Sequence, residues 1–180
     1  MEKERAPQYE IRKATVGDVE AIRRMQAQSW CDTYQNDELG VTAKWLKDIT
    51  QNWLTPKSLQ KSRKFLEPFF SNNQYFYRVA LINDKVVGFI HLDTKENGSK
   101  QLWGLYTDTS THGTGLAQKL MIMAEEWVQD KEVELEVASY NERAKAFYRK
   151  YGFVEQDGIV EMFENKIPSV RMVRKSRSKK

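Results

Sequence analysis

Cysteine is almost absent from this chain: Cys31 is the only one in 180 residues. No intrachain disulfide can form, and a reducing compartment, the cytoplasm, is expected. Cys31 falls within a predicted helix and reads as a small half-buried thiol rather than a nucleophile. Long apolar runs are missing too, which excludes a membrane-spanning helix. The first residues, Met1-Glu2-Lys3-Glu4-Arg5, are charged and no apolar stretch follows, so no secretory signal is expected. There is no internal repeat. Two phosphate-binding fingerprints are also lacking. His112-Gly113-Thr114-Gly115-Leu116-Ala117 has no third glycine for a dinucleotide fingerprint and no Gly-Lys-Ser/Thr for a P-loop.

What is present describes one globular domain. Apolar residues make up 40% and aromatics 12%, enough for a core. The net charge of +4 is uneven. Residues 171–180 hold six basic groups (Arg171, Arg174, Lys175, Arg177, Lys179, Lys180) and no acid, while the other 170 residues carry 23 basic and 25 acidic side chains. The basic run is expected to be a solvated, frayed end. Contact with nucleic acid is the disfavoured alternative.

Periodicity orders the elements. Tyr9 to Lys13 alternates as a first strand. Thr15 and Asp18 resemble a capping box, followed by a helix from about Val16 to Gln35. Thr42 caps a second helix with the stripe Trp45, Leu46, Ile49 and Trp53. Pro56 opens a third, whose far end Pro68 obscures. Tyr75–Leu81 and Val86–Leu92 flank the turn Asn83-Asp84 as a hairpin. A strand from Gln101 to Tyr106 feeds the glycine turn, and a helix runs from Leu116 to about Gln129. Val133–Val137 alternates strictly, Asn141 begins a helix ending near Gly152, and strands follow at Phe153 and around Val170–Val173. A strand–helix–strand unit implies a parallel pair and the hairpin implies antiparallel neighbours, so the fold is a mixed-sheet α/β or α+β domain. Aromatics crowd residues 30–70, as core or as pocket wall. Asp32, Asp37 and Glu38 near the first helix break would suit a cationic ligand if they were not simply solvated.

Two stretches carry chemistry. The glycines of His112–Ala117 stand where a strand hands over to a helix, whose first amides lack intrahelical partners and attract anions such as a pyrophosphate. In Asn141 to Phe153, the residues Asn141, Ala144 and Tyr148 share one helix face, beside a core-facing stripe of Phe147 and Tyr151. A small Ala144 leaves room for a slender ligand. Together the stretches resemble the GCN5-related N-acetyltransferase (GNAT) superfamily over roughly Ile11 to Arg174. The first matches its Gln/Arg-x-x-Gly-x-Gly/Ala segment, with His112 in place of Gln or Arg. The second matches its Asn-x-x-Ala-x-x-(Phe/Leu)-Tyr-x-x-x-Gly-Phe segment at every named position.

The resemblance implies a mostly antiparallel twisted sheet with a central splayed parallel pair and helices on both faces, as one domain over 1–174 with a basic tail at 175–180. It implies an acetyl-CoA-dependent N-acetyltransferase without a metal, acting on a small polyamine-like or protein amine as a monomer or homodimer. The alternative is a catalytically weak module that binds acetyl-CoA or touches nucleic acid. A bulge in the fourth strand would splay it from the fifth, and a main-chain N–H of Leu105, Tyr106 or Thr107 would meet the thioester oxygen. His112, Gly113, Thr114, Gly115, Leu116 and Ala117 would cradle the pyrophosphate. Asn141, Ala144 and Phe147 would line the pantetheine arm. Tyr148, near the usual phenol pKa of about 10, would protonate the leaving thiolate. Gln101 stands where many relatives carry a glutamate that serves as base, so the base is left unassigned.

Overall fold

Asp18 closes the entry to the helical half of the computed structural model, which describes residues 8–177. Its carboxylate takes both Arg12 guanidinium nitrogens at 2.8 Å, and the N–H and hydroxyl of Thr15 at 2.8 Å. That network tightens the first turn, Val16–Asp18, to 3-10 geometry, so the helix expected from Val16 begins as α1 (Val19–Thr33). Thr42 accepts the Trp45 N–H at 3.1 Å and starts α2 (Ala43–Trp53). Thr55 and Pro56 start α3 (Pro56–Ser71), which continues through Pro68.

The strands are β1 (Glu10–Lys13), β2 (Tyr75–Ile82), β3 (Lys85–Thr94), β4 (Lys100–Thr107), β5 (Val133–Ala138), β6 (Val154–Phe163) and β7 (Ile167–Arg174). Asn83 and Asp84 both adopt positive φ, the geometry of a tight two-residue hairpin. Helix α4 (Leu116–Val128) joins β4 to β5, and α5 (Glu142–Arg149) follows β5. One seven-stranded sheet results, in the order β1-β2-β3-β4-β5-β7-β6. Only β4 and β5 run parallel; the other neighbours are antiparallel. This is the mixed sheet expected.

Both faces are covered. Leu116, Leu120, Ala124 and Tyr148 of α4 and α5 bury Ile90, Leu92, Leu102 and Leu135 on one face. Val19, Ile22, Met25 and Leu66 of α1 and α3 bury Tyr77, Val79 and Phe89 on the other. Trp30, Tyr34 and Leu46 close the second face over Ala138 and Ile167. Among the described residues no helix is long and apolar enough to cross a membrane.

The basic C-terminal run is not a frayed end over its described part. Strand β7 lies between β5 and β6 and stays paired to Arg174, opposite Val133. Arg174 is buried against Glu125, Arg171 faces Glu136 at 3.5 Å, Lys175 faces Glu132 at 3.1 Å, and Arg177 reaches Glu125 at 2.8 Å. Glu125 of α4, Glu132 just before β5 and Glu136 on β5 therefore offset this charge. Lys179, Lys180 and the N-terminal Met1–Arg5 lie outside the described residues.

Candidate active site

Strands β4 and β5 pair at only three positions, Lys100↔Val133, Gln101↔Glu134 and Leu102↔Leu135. At the next residue the register against β3 slips. Leu102 faces Leu92 and Gly104 faces His91, which leaves Trp103 as the extra residue of a bulge. Beyond it β4 keeps β3 but leaves β5, and a cavity of about 170 Å³ opens between them. Asp108 donates its N–H to Val87 O on β3. Since backbone groups alternate along a strand, the Thr107 and Leu105 N–H groups turn toward the gap.

The glycine turn stands at one end of the gap. Gly113 and Gly115 have φ of +80° and +86°, a region that suits glycine. Gly115 is the N-cap of α4 and supplies no side-chain cap. A Cβ at Gly113 would meet nothing within 4 Å, so a bulky anion has free access to the turn. His112 and Arg143 line the cavity beside it. Burial, and then the nearby Arg143, lowers the His112 imidazole below its usual value, so it is neutral at physiological pH.

Most of the residues singled out in the sequence converge here. Leu105, Tyr106, Thr107, His112, Ala117, Asn141, Ala144, Phe147 and Tyr148 all line the cavity. Two fit their expected part less well. Thr114 spends its N–H on Thr111 O at 3.2 Å, while its hydroxyl joins Tyr9 and Thr111. The Leu116 side chain is buried in the core, so only its amide is left for the turn. Asn141 caps α5, its Oδ1 accepting the Ala144 N–H at 3.1 Å, which leaves the side-chain NH₂ as its donor. Tyr148 is not an ordinary phenol. Burial, with a smaller effect of the Tyr106 phenol, holds its pKa well above 10.

Gln101 does not line the gap. It lies below the bulge, buried between Asp93 and Glu134 in the register. Nor do Asp32, Asp37 and Glu38, which are exposed and line neither this cavity nor its neighbour. The lining residues that sequence reasoning missed include Ser29 and Thr33 from α1, Trp103 and Gly104 at the bulge, Glu136 on β5 and Arg143 on α5, while Tyr34, just past α1, belongs to the aromatic stretch expected as core or pocket wall. The strict alternation of Val133–Val137 was the available signal for Glu136, since it sets that residue on the face opposite Leu135 and Val137. Burial, then the facing Glu161, raises the Glu136 carboxyl, and Arg171 opposes the rise.

The arrangement combines an anion site at a helix start, a narrow gap with free strand N–H groups, and a carboxylate and a phenol on its walls. Solved structures share the fold. The PaiA N-acetyltransferase of Thermoplasma acidophilum, in complex with coenzyme A, superposes with a TM-score of 0.72 at 22% identity, over 93% of this chain and 99% of that one. A GNAT-family acetyltransferase from Streptococcus pneumoniae gives 0.68 at 19% identity, over 93% and 98%. Ard1 from Thermoplasma volcanium gives 0.61 at 22%, over 94% and 99%. A comparison with curated proteins finds no match. The pattern of the acetyltransferase (GNAT) family matches residues 41–153, more than half of the sequence and the whole stretch from the bulged strand to Phe153. On that match the chain belongs to the GNAT acetyltransferase family.

Proposed function

We propose that the protein moves an acetyl group from acetyl-CoA directly to a primary amine, within one catalytic domain over 1–174 that carries a short basic extension. The observation that carries this reading is the parting of β4 from β5 after Leu102, next to a helix start whose N-cap offers no side chain. A gap of about 170 Å³ is too small for a compact drug-sized ligand but suits a slender arm. The residues fit acetyl-CoA. The amides of Gly113, Gly115, Leu116 and Ala117 face its pyrophosphate, with Arg143 and His112 alongside. The Asn141 NH₂ and the side chains of Ala144 and Phe147 hold the pantetheine arm. Acetyl-CoA supplies an activated thioester.

The protein's own groups then divide the proton traffic. The acceptor arrives as an ammonium, with a pKa of about 10.4 in water, and must lose a proton to attack. Glu136 is the carboxylate on the cavity wall, and its raised pKa makes it a better proton acceptor than an ordinary glutamate. The amine nitrogen bonds to the acetyl carbon, and the N–H groups of Leu105 and Thr107 stabilise the negative charge that builds on the oxygen. The carbon–sulfur bond breaks, Tyr148, kept protonated by burial, gives its proton to the sulfur, and the proton still on the acylated nitrogen passes to the Tyr148 phenolate as the amide forms. The products are an N-acetylated amine and free CoA.

Thermal unfolding with CoA and with acetyl-CoA tests this. Ligand at about 100 times its dissociation constant adds about 2.7 kcal/mol, or roughly 5–10 °C for a domain of this size. Acetyl-CoA should then release thiol only when an amine is supplied. No shift at millimolar CoA would remove the cofactor site and the reading with it.

A further inference from the structure

A second cavity of about 430 Å³ lies between α1, α3 and strands β2–β4. It shares Trp103, Gly104 and Tyr106 with the gap between β4 and β5, so the two meet at the bulge. The register lays out its floor. Tyr77, His91 and Gly104 form one cross-strand row, and Tyr75 and Asp93 stand in the next. The rings are mutually ordered: Tyr77 stacks on His91 at 4.6 Å and 6°, and Phe69 of α3 on Tyr75 at 4.3 Å and 16°.

Three polar atoms of lining residues are buried without a hydrogen-bond partner among the described residues: Arg23 Nε, His91 Nε2 and Asp93 Oδ1. Buried polar atoms are nearly always paired. Three unpaired ones around a single aromatic cavity mark groups that a ligand would satisfy. Burial lowers the His91 imidazole to about 4, so it offers a neutral hydrogen-bonding edge. Arg23 and Asp93 balance in charge, so the cavity lacks the excess negative charge that a polyamine would need. Its size and its apolar walls with a few polar groups are those of a small-molecule site.

We propose that this cavity is the acceptor subsite, and that the acceptor is an amine carried on a flat aromatic or heteroaromatic body with a polar edge. The ring lies among Phe69, Tyr75 and Tyr77, the polar edge meets Asp93, His91 and Arg23, and the amine extends past Gly104 to the gap. This rests on the N-acetyltransferase reading and replaces the expectation of a small polyamine.

The test is calorimetric titration of the CoA-saturated protein with tyramine, butylamine and spermidine, alongside acetyl transfer to each. Tyramine should bind at least tenfold more tightly than butylamine or spermidine, as one added charge-assisted hydrogen bond and ring burial require. Asp93→Asn and Phe69→Ala should each weaken tyramine about tenfold, as a rise in KM rather than a fall in kcat. Phe69 is only half-buried, so that variant remains informative if Asp93→Asn misfolds. Equal affinity for the three amines, no tyramine heat at millimolar concentration, or an unchanged affinity in Phe69→Ala would overturn the subsite. A missing CoA shift in thermal unfolding would instead strike the underlying acetyltransferase reading, so the two failures are separable.

Discussion

Leu102 and Leu135 form the last pair through which β4 touches β5, and the bulge at Trp103 begins at the very next residue. A bulge strengthens local twist and ends pairing on one side. Here it ends the one parallel pairing of the sheet while the antiparallel side continues to Thr107. The proposed active-site gap is therefore a consequence of one inserted residue.

Gly104 lies just past that residue, under the Tyr106 ring. A Cβ there would come within 2.9 Å of Tyr106 Cε2. The ring is packed on Phe89 and takes a hydrogen bond from Trp30 Nε1 at 3.2 Å, so it cannot move freely. Gly104→Ala should cost about 1–3 kcal/mol in urea unfolding, as overpacking does. It should also raise the KM for the amine, because Tyr106 borders both cavities.

Tyr148→Phe should lower kcat by about 10²-fold, the low end for general-acid catalysis, because a thiolate leaves tolerably unaided. The CoA dissociation constant should stay within about twofold, since the aromatic contacts with Phe147 and Phe153 persist. Stopped-flow turnover with calorimetry reads both. An unchanged kcat removes Tyr148 from the mechanism.

Glu136→Gln should lower kcat/KM by about 10²–10⁴-fold. The wild-type rate should fall as the pH drops through the raised Glu136 pKa, because the protonated carboxyl cannot accept a proton. That acid limb should vanish in Glu136→Gln and move to lower pH in Glu161→Gln, which removes a facing carboxylate, while Arg171→Gln should move it higher. A pH–rate profile with the same limb in every variant assigns the proton to another group.

His112 should make the cofactor affinity pH-dependent only on the acid side. Its lowered pKa leaves it neutral in the free protein at physiological pH, and a pyrophosphate alongside would favour the charged form. Binding then takes up a proton, so affinity rises as the pH falls. CoA titrations of the wild type and His112→Gln should coincide above about pH 8 and diverge below about pH 6.5, with the wild type tighter. The variant cancels the titration of CoA's own phosphates.

His91 should tie stability to pH in the opposite direction. Its folded pKa of about 4 lies below the ordinary 6.5, so the unfolded chain binds a proton more readily. Stability from this group is complete above pH 6.5 and is lost as the pH falls through 4, by up to about 3 kcal/mol. Urea unfolding of the wild type should lose that much more between these limits than His91→Gln does. Parallel losses in the two proteins would show that His91 does not carry the acid sensitivity.

Local sequence chemistry determined much of this protein. Thr42 and Asn141 announce helix starts because a side-chain oxygen can satisfy an orphan amide in any context. Gly113 and Gly115 announce the turn because few other residues accept positive φ. Alternation in Val133–Val137 and helical spacing in Asn141–Tyr151 fix which side chains face together, and so both halves of the proposed cofactor site were legible. What was not legible depends on contacts between distant segments. The bulge, expected only through the family resemblance, is a mismatch of β4 against β3, and neither strand shows it alone. Glu136 becomes a cavity residue only because β5 is left unpaired there on its β4 side, and its carboxyl is raised by burial and then by Glu161 on a strand 25 residues away. The second cavity draws on α1, α3 and three strands, and its unpaired atoms exist only once those elements close over it. The basic run of 171–177 could not be told from a solvated tail until α4 and β5 set acids opposite it. Propensity and periodicity act within a few residues, whereas register, burial and electrostatic pairing are set by which faces meet in three dimensions, and those decided the proposed acceptor side of the site.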